Sequence, residues 1–454
     1  MSETPRPPTG QRPIAPSRLP SPTRPRRRAI ERTLRISTVE GMAAEVVTAC
    51  AGGAALTAWA LYLGCDPLAV ALLGALPSFA QVIQLPSACL TSTLGGRRVA
   101  IVASAVSRIS LAPLILLPFL ALPTEEKRVL LLGVAAVHIG LGVVGSNGWI
   151  TWMGEVVPAR IRGRYFGRRA SFASLSGSLM GFAAGVMLDR SSVLGMESLA
   201  LSGLAALATI AGLLTQPLLR RQHEPARPRS GRVAFRAVVA RVLRDPASRR
   251  LVTYQMAWNA AIGVSASFFA VHLLTNLHMG FMLVAGHAAA AGLVRVLVTP
   301  AWGRAIDRKG AKPILALCSF GLFAVPLVWL APPASALPFV IAADALVAGT
   351  LWAGHGLAAF QLPLSIAPPE QRPFYLAAFA TAGGLSFALA AGLGGIVADA
   401  LPPMIFLNGR PVLTLQLLFL LSAAGRLASA PLSLRLVDPA RRHRAARPAS
   451  RPVA

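Results

Sequence analysis

The sequence predicts an all-α membrane protein of twelve transmembrane helices, arranged as two pseudo-symmetric six-helix bundles. Three observations predict it. Of 454 residues, 54% are hydrophobic and only 13% charged, whereas a soluble domain carries roughly 25% charge. The apolar residues gather into twelve runs, each close to the ~20 residues that cross a bilayer. A basic, proline-containing stretch then divides the runs into six plus six, and the two sets repeat at a fixed offset.

Taken in order, residues 1–37 are rich in Pro and Arg, lack a signal-peptide core and read as a disordered basic tail. Val47-Thr48-Ala49-Cys50 loosely resembles a lipoprotein cleavage box, but Glu40 and Glu45 precede it where an apolar core would be needed. The first bundle occupies 38–219, with helices expected near 42–64, 67–92, 99–122, 129–153, 168–188 and 196–219. Residues 220–250 hold ten arginines with Pro225, Pro228 and Pro246, cannot span, and read as a linker. The second bundle occupies 251–436, with helices near 251–275, 280–303, 313–331, 337–361, 373–399 and 413–434. A second basic tail, 437–454, ends the chain. Sliding the sequence by 210 positions pairs Pro158 with Pro368, Arg162 with Arg372, Tyr165 with Tyr375 and Asp189 with Asp399. Two parallel halves of this kind are an internal symmetry of secondary transporters.

The formal charge of +27 suggests nucleic-acid binding until the basic residues are placed. With these helices, 37 of the 44 fall on one side of the membrane. Lys127, Arg128, Arg190 and Arg410 lie on the other, and Arg108, Arg295 and Arg426 fall inside helices. That asymmetry is the positive-inside pattern, so both termini are expected in the cytoplasm and no nucleic-acid partner is expected. Only three of the basic residues are lysines, a bias of G+C-rich bacterial genomes, which makes a bacterial inner membrane the expected location. Cys50, Cys65, Cys89 and Cys318 form no CxxC pair. There is no phosphate-binding loop, metal-ligand set or nucleophile–base constellation, so neither enzyme activity nor a cofactor is expected.

One loop carries a family signature. Gly303-Arg-Ala-Ile-Asp307-Arg308-Lys-Gly310-Ala-Lys312 resembles the G-x-x-x-D-R-x-G-x-[RK] loop of the major facilitator superfamily. A glycine permits close helix approach, a second permits a tight turn, and an aspartate suits a neighbouring helix N-terminus. The resemblance covers about 38–436 and implies that Gly303, Asp307, Arg308, Gly310 and Lys312 clamp the bundles on the cytoplasmic side. In the first-half counterpart Gly96-Arg97-Arg98 keeps the tail of the pattern, but Thr93 and Leu94 stand where Asp-Arg would be. Trp152-Met-Gly-Glu155 running into Arg162-Gly-Arg-Tyr165 is similar to the helix 4–5 connection of a bacterial subgroup whose substrates are mostly unassigned.

Charges inside a membrane cost several kcal/mol and need a reason. Glu45 in helix 1 is either a proton or cation site or an interfacial carboxylate. Asp344 in helix 10 and Arg295 in helix 8 are either a pair that opens and closes with transport or a static pair, unless Asp344 simply reaches periplasmic water. His138 in helix 4 stands four residues before Gly142, where some proton-coupled members of the resembling family carry an arginine, and a histidine can titrate near neutral pH. Asn147, Trp149, Gln255, Trp258, Asn259, Trp352 and His355 supply aromatic faces and hydrogen-bonding groups at the depth expected of a substrate cavity. The expected function is secondary transport by alternating access, with the lipid bilayer, a small-molecule substrate and a proton or other ion gradient as partners. Proton-coupled export of an uncharged or amphipathic solute comes first, uptake of a sugar or similar metabolite second. A membrane sensor or assembly partner without transport is the reading from another class.

Overall fold

A computed structural model describes residues 24–65, 67–224, 235–266, 268–279, 281–330, 334–402, 404–407 and 410–438. The first half contains α1 (Arg24–Ala51, continued by Gly53–Tyr62), α2 (Pro67–Phe79 and Gln84–Leu94), α3 (Gly96–Ile109), α4 (Thr124–Val156), α5 (Arg162–Leu194) and α6 (Glu197–Arg220). The second contains α7 (Pro246–Ala266), α8 (Phe281–Lys309), α9 (Ala311–Leu322), α10 (Leu337–Ile366), α11 (Arg372–Ala400) and α12 (Thr414–Leu434). Among the described residues, ten helical stretches are long and apolar enough to cross a bilayer; α7 and α8 complete the second bundle. The fold is the twelve-helix, two-bundle architecture expected.

The differences lie at the ends of helices. Helix α1 starts at Arg24, inside the segment read as a disordered tail; residues 1–23 and 439–454 lie outside the described residues. The reason is packing: Leu34 joins the core, Thr33 and Ser37 are fully buried, and the His223 amide donates to Thr33 Oγ1 at 2.9 Å. Of the linker, 225–234 lie outside the described residues, whereas Phe235–Arg244 is helical and Pro246 opens α7, where its missing N–H removes no helix bond. Helix α5 begins at Arg162, six residues before the apolar run, because Arg162 Nη2 donates to the Gly154 and Val157 carbonyls at the end of α4 (3.0 and 3.4 Å). These are orphan acceptors that a cation satisfies well. A short antiparallel hairpin, β1 (Met404–Leu407) with β2 (Arg410–Leu413), joins α11 to α12.

Basic residues of both halves collect at one end of the bundle, here the basic face. Arg97 donates to the Arg220 carbonyl and pairs with Glu224 at 3.3 Å, and Arg250 donates to the Arg435 carbonyl. At this end one apolar cluster runs from Trp152 and Phe166 of the first half to Ile306, Leu357 and Phe374 of the second. Further away the first half has a cluster of its own, around Trp59, Leu114 and Leu204. Among the described residues, the apolar cluster that the halves share lies toward the basic face. The repeat is visible in space as well. A side chain built at Gly154 would touch Leu364, its mate at the 210 offset, so the pseudo-twofold axis passes between α4 and α10.

Candidate gate and substrate cavity

At the basic face α5 of the first half meets α8 of the second. Asp307, near the C-terminal end of α8, accepts hydrogen bonds from the backbone amides of Gly163 and Arg164 at 2.7 Å each. A carboxylate here satisfies two orphan donors of the first turn of α5 and faces the positive end of its dipole. The approach is possible because both residues at the crossing are glycines. A Cβ on either Gly163 or Gly303 would collide with the carbonyl oxygen of the other. Gly310, at φ 93°, makes the turn into α9, a conformation that side-chain-bearing residues rarely adopt. Arg308 is exposed, and Lys312 faces a basic cleft with Arg249, Arg250 and Arg435. Arg164 also approaches Asp307, but at 3.9 Å and two-thirds exposed it adds little.

The equivalent seam joins α2 to α11. Gly95, also at φ 93°, is the structural match of Gly310. Aligning these two glycines puts Ser92, rather than Thr93, where the second half has Asp307. Ser92 donates to the Cys89 carbonyl within its own helix. Across the seam, Pro373 stands at the position of Gly163 and has no N–H to offer. This side is joined instead by neutral hydrogen bonds. Asn147 Nδ2 donates to the Pro373 carbonyl (3.2 Å) and to Gln84 Oε1 (3.1 Å), and Thr381 Oγ1 donates to the Gln81 carbonyl (2.9 Å). The short 3₁₀ turn Ala80–Ile83, following Pro77 in α2, brings that carbonyl to the seam.

Away from the basic face the α5–α8 contact continues through Ser171, whose hydroxyl donates to the Val296 carbonyl at 2.7 Å, and reaches Ser178 opposite Gly292. Beyond, side chains built at Gly181, Gly185 or Gly286 would meet nothing within 4 Å. Above the closed seam lies a cavity of about 290 Å³ walled by both halves: Trp149, Phe166, Arg169 and Ser174 from the first, Arg295, Thr299, Trp352 and Phe360 from the second. Volumes near 300 Å³ suit small organic ligands. Arg169 is fixed from behind: it pairs with buried Glu40 at 3.1 Å, donates to the Ser37 carbonyl, and stacks its guanidinium 4.1 Å from the Trp149 ring centre. Arg295 has no carboxylate partner among the described residues.

A second cavity of about 290 Å³ lies within the C-terminal bundle and shares Arg295 and Trp352 with the first. Its far end holds Asp344, which pairs with His287 rather than Arg295, as Nε2 lies 2.8 Å from Oδ2. Both side chains are buried, under Phe269 and Trp329. Arg426 lines the same cavity, 5.7 Å from the Trp352 ring.

The other candidates separate. Gln255 and Asn259 face a groove of about 390 Å³ between α2, α7 and α11. Trp258 and His355 lie in the second-half core, stacked at 4.7 Å, with His355 Nε2 2.9 Å from Tyr254 Oη. His138 is buried against α3; its Nδ1 donates to the Ser107 carbonyl at 2.8 Å, and the Ser107 hydroxyl returns a bond to the His138 carbonyl. Glu45 packs beside Gly177 of α5 and lines neither cavity. Glu40, Arg169 and His287 were not singled out by the sequence reading. His287 stands in an apolar stretch, the signal that marked Asp344, whereas Glu40 and Arg169 lie among the charged residues that open α1 and α5.

The profile of the Major Facilitator Superfamily matches residues 42–391. No curated protein matches the chain significantly in sequence. Among solved structures, the proton:xylose symporter XylE superposes at TM-score 0.63 with 16% identity, covering 90% of this chain and 96% of that one. The fucose:proton symporter FucP of E. coli gives 0.67 and 15%, covering 89% and 99%. The human organic anion transporter MFSD10 gives 0.63 and 14%, covering 90% and 100%. Identities this low speak to fold alone, but the sequence profile spans most of the chain: it belongs to the major facilitator superfamily.

Proposed function

We propose that the protein is a proton-coupled secondary transporter that exports a small amphipathic organic solute across a bacterial inner membrane. The observation that carries this reading is a solute-sized cavity walled by both bundles directly above a closed seam. That is the arrangement alternating access requires: one side sealed, the bound solute touching both moving parts. The surplus of arginine at the basic face supports a cytoplasmic placement of that face and of both termini. On this reading the closed basic face is the cytoplasmic one and Asp307 holds it shut, the arrangement of an outward-facing state.

Two buried acid–base pairs, His287–Asp344 and Glu40–Arg169, are the carriers we assign to proton coupling. Each touches a cavity, and protonation of either carboxylate weakens its pair and releases the partner toward the cavity. The second reading, uptake of a sugar, has the two symporter relatives in its favour. The cavity wall argues against it: four aromatic rings and two guanidiniums accompany only the hydroxyls of Ser174 and Thr299, with no amide or carboxylate to pair sugar hydroxyls.

The test is flux in proteoliposomes with an imposed pH gradient. Wild type is expected to accumulate an amphipathic substrate against its gradient. Asp344→Asn is expected to abolish uphill movement while leaving solute exchange intact. Uphill transport that survives this substitution removes Asp344 from coupling, and flux unaffected by the pH gradient contradicts proton coupling altogether.

A further inference from the structure

We infer that the solute is an organic anion: an apolar or aromatic body carrying one carboxylate or comparable group, held by Arg295 and Arg169 between the Trp149 and Trp352 faces. This rests on the transporter reading and adds to it the sign of the charge. The cavity between the bundles is lined by two guanidiniums and no carboxylate. None of the nearest acids lines this cavity: Glu40 pairs with Arg169, Asp344 pairs with His287, and Glu45 packs against Gly177 within electrostatic reach of Arg169.

The two arginines differ in a way that assigns their parts. Arg169 is already neutralised by Glu40, pinned by the Ser37 carbonyl and laid over Trp149, so it is a fixed wall of the site. Arg295 lies across the cavity on α8, with its side chain accessible and no acid within reach, although α8 is a membrane helix. An uncompensated guanidinium at this depth is costly unless water or an anion attends it, and an arginine fork presents two parallel donors to a carboxylate. Trp149, Phe166, Trp352 and Phe360 supply the apolar remainder of the site, too much of it for an inorganic ion. An organic cation would meet the uncompensated charge of Arg295.

Equilibrium binding by calorimetry to the purified full-length protein, using three probes of one skeleton, tests this. Phenylbutyrate is anionic, phenylbutyramide neutral and phenylbutylamine cationic. Phenylbutyrate is expected to bind at least tenfold more tightly than the amide, the difference a charge-assisted pair makes, with the amine weakest. Arg295→Gln is expected to erase the preference for the carboxylate while leaving the amide unchanged, and Arg295→Lys to restore part of it. Unfolding temperatures of both variants within a few degrees of wild type certify that they fold. The inference is overturned if the amide or amine binds as tightly as phenylbutyrate, if none of the three binds, or if Arg295→Gln leaves phenylbutyrate affinity unchanged. Flux of a neutral or cationic compound would sink the charge assignment and leave the transporter reading standing. Tight phenylbutyrate binding without flux of any compound would do the reverse.

Discussion

The two bundles meet along two seams that the internal repeat makes equivalent, and the aspartate bonded to helix N-terminal amides is found on one of them. Where α5 meets α8, Asp307 accepts two amides from the start of α5, and Gly163 and Gly303 bring the backbones together. Where α2 meets α11, Ser92 replaces the aspartate and Pro373 removes one of the amides it would have bonded. Donor and acceptor are missing together, and neutral bonds from Asn147 and Thr381 cross the second seam instead. If the basic face is the gate proposed above, its two duplicated halves do not share the work of closing it equally. A charge-assisted bond contributes roughly 1.5–3 kcal/mol against 0.5–1.5 for a neutral one, so the α5–α8 seam should set the stability of the closed state.

The harshest way to break the comparison is steric. Gly303→Val places a branched side chain where the Gly163 carbonyl sits, and backbone cannot step aside as a flexible side chain would. Overpacking costs about 1–3 kcal/mol, and Asp307 loses its alignment as well. Transport is expected to fall at least tenfold, with alkylation of a cysteine introduced at Ala170 rising in step. Unchanged transport would show that the crossing need not be so close.

A gentler change isolates the charge. Asp307→Asn keeps the shape but offers one acceptor and an unwanted donor to two amides. The closed state should weaken by about 1.5–3 kcal/mol, a tenfold to hundredfold change in its population. Hydrogen exchange at the first turn of α5 should accelerate accordingly, while exchange at the start of α11 stays as in wild type.

The smallest effect sharpens the comparison from the other seam. Ser92→Asp supplies the missing carboxylate opposite a helix whose second residue is Pro373, so one of the two amides it would bond is absent. Exchange at α11 is expected to change by less than the equivalent of about 0.5 kcal/mol, within the range of ordinary surface substitutions. A gain matching the loss in Asp307→Asn would mean that the proline does not matter.

Much of the asymmetry was legible in the sequence, because a loop signature is local: the spacing from Gly303 to Lys312 announces its turn and its carboxylate. The degenerate copy was legible too, although only the backbone at Gly95 shows that Ser92, not Thr93, holds the aspartate's place. Partners across helices were harder to read. Arg169 looked like one more interfacial anchor in a run of arginines. It reaches the cavity because α5 starts at Arg162, where Arg162 caps α4, and two further turns bring Arg169 to the level of Trp149. Asp344 was expected beside Arg295; both do lie on one cavity, but His287 is the nearer base, and no periodicity in either helix could rank the two. Trp258 and His355 carried the same polar-in-membrane signal as Trp352 yet face inward, a distinction set by helix rotation rather than by residue type.

The most direct test is a spin-label distance across the basic face, between exposed positions 168 on α5 and 304 on α8, in a chain whose four cysteines are replaced. Wild type should give a single short distance in the absence of substrate. Asp307→Asn should add a longer population, and Ser92→Asp should leave the wild-type distribution as it was. A distribution that stays short in Asp307→Asn would contradict the claim that one carboxylate latches the gate.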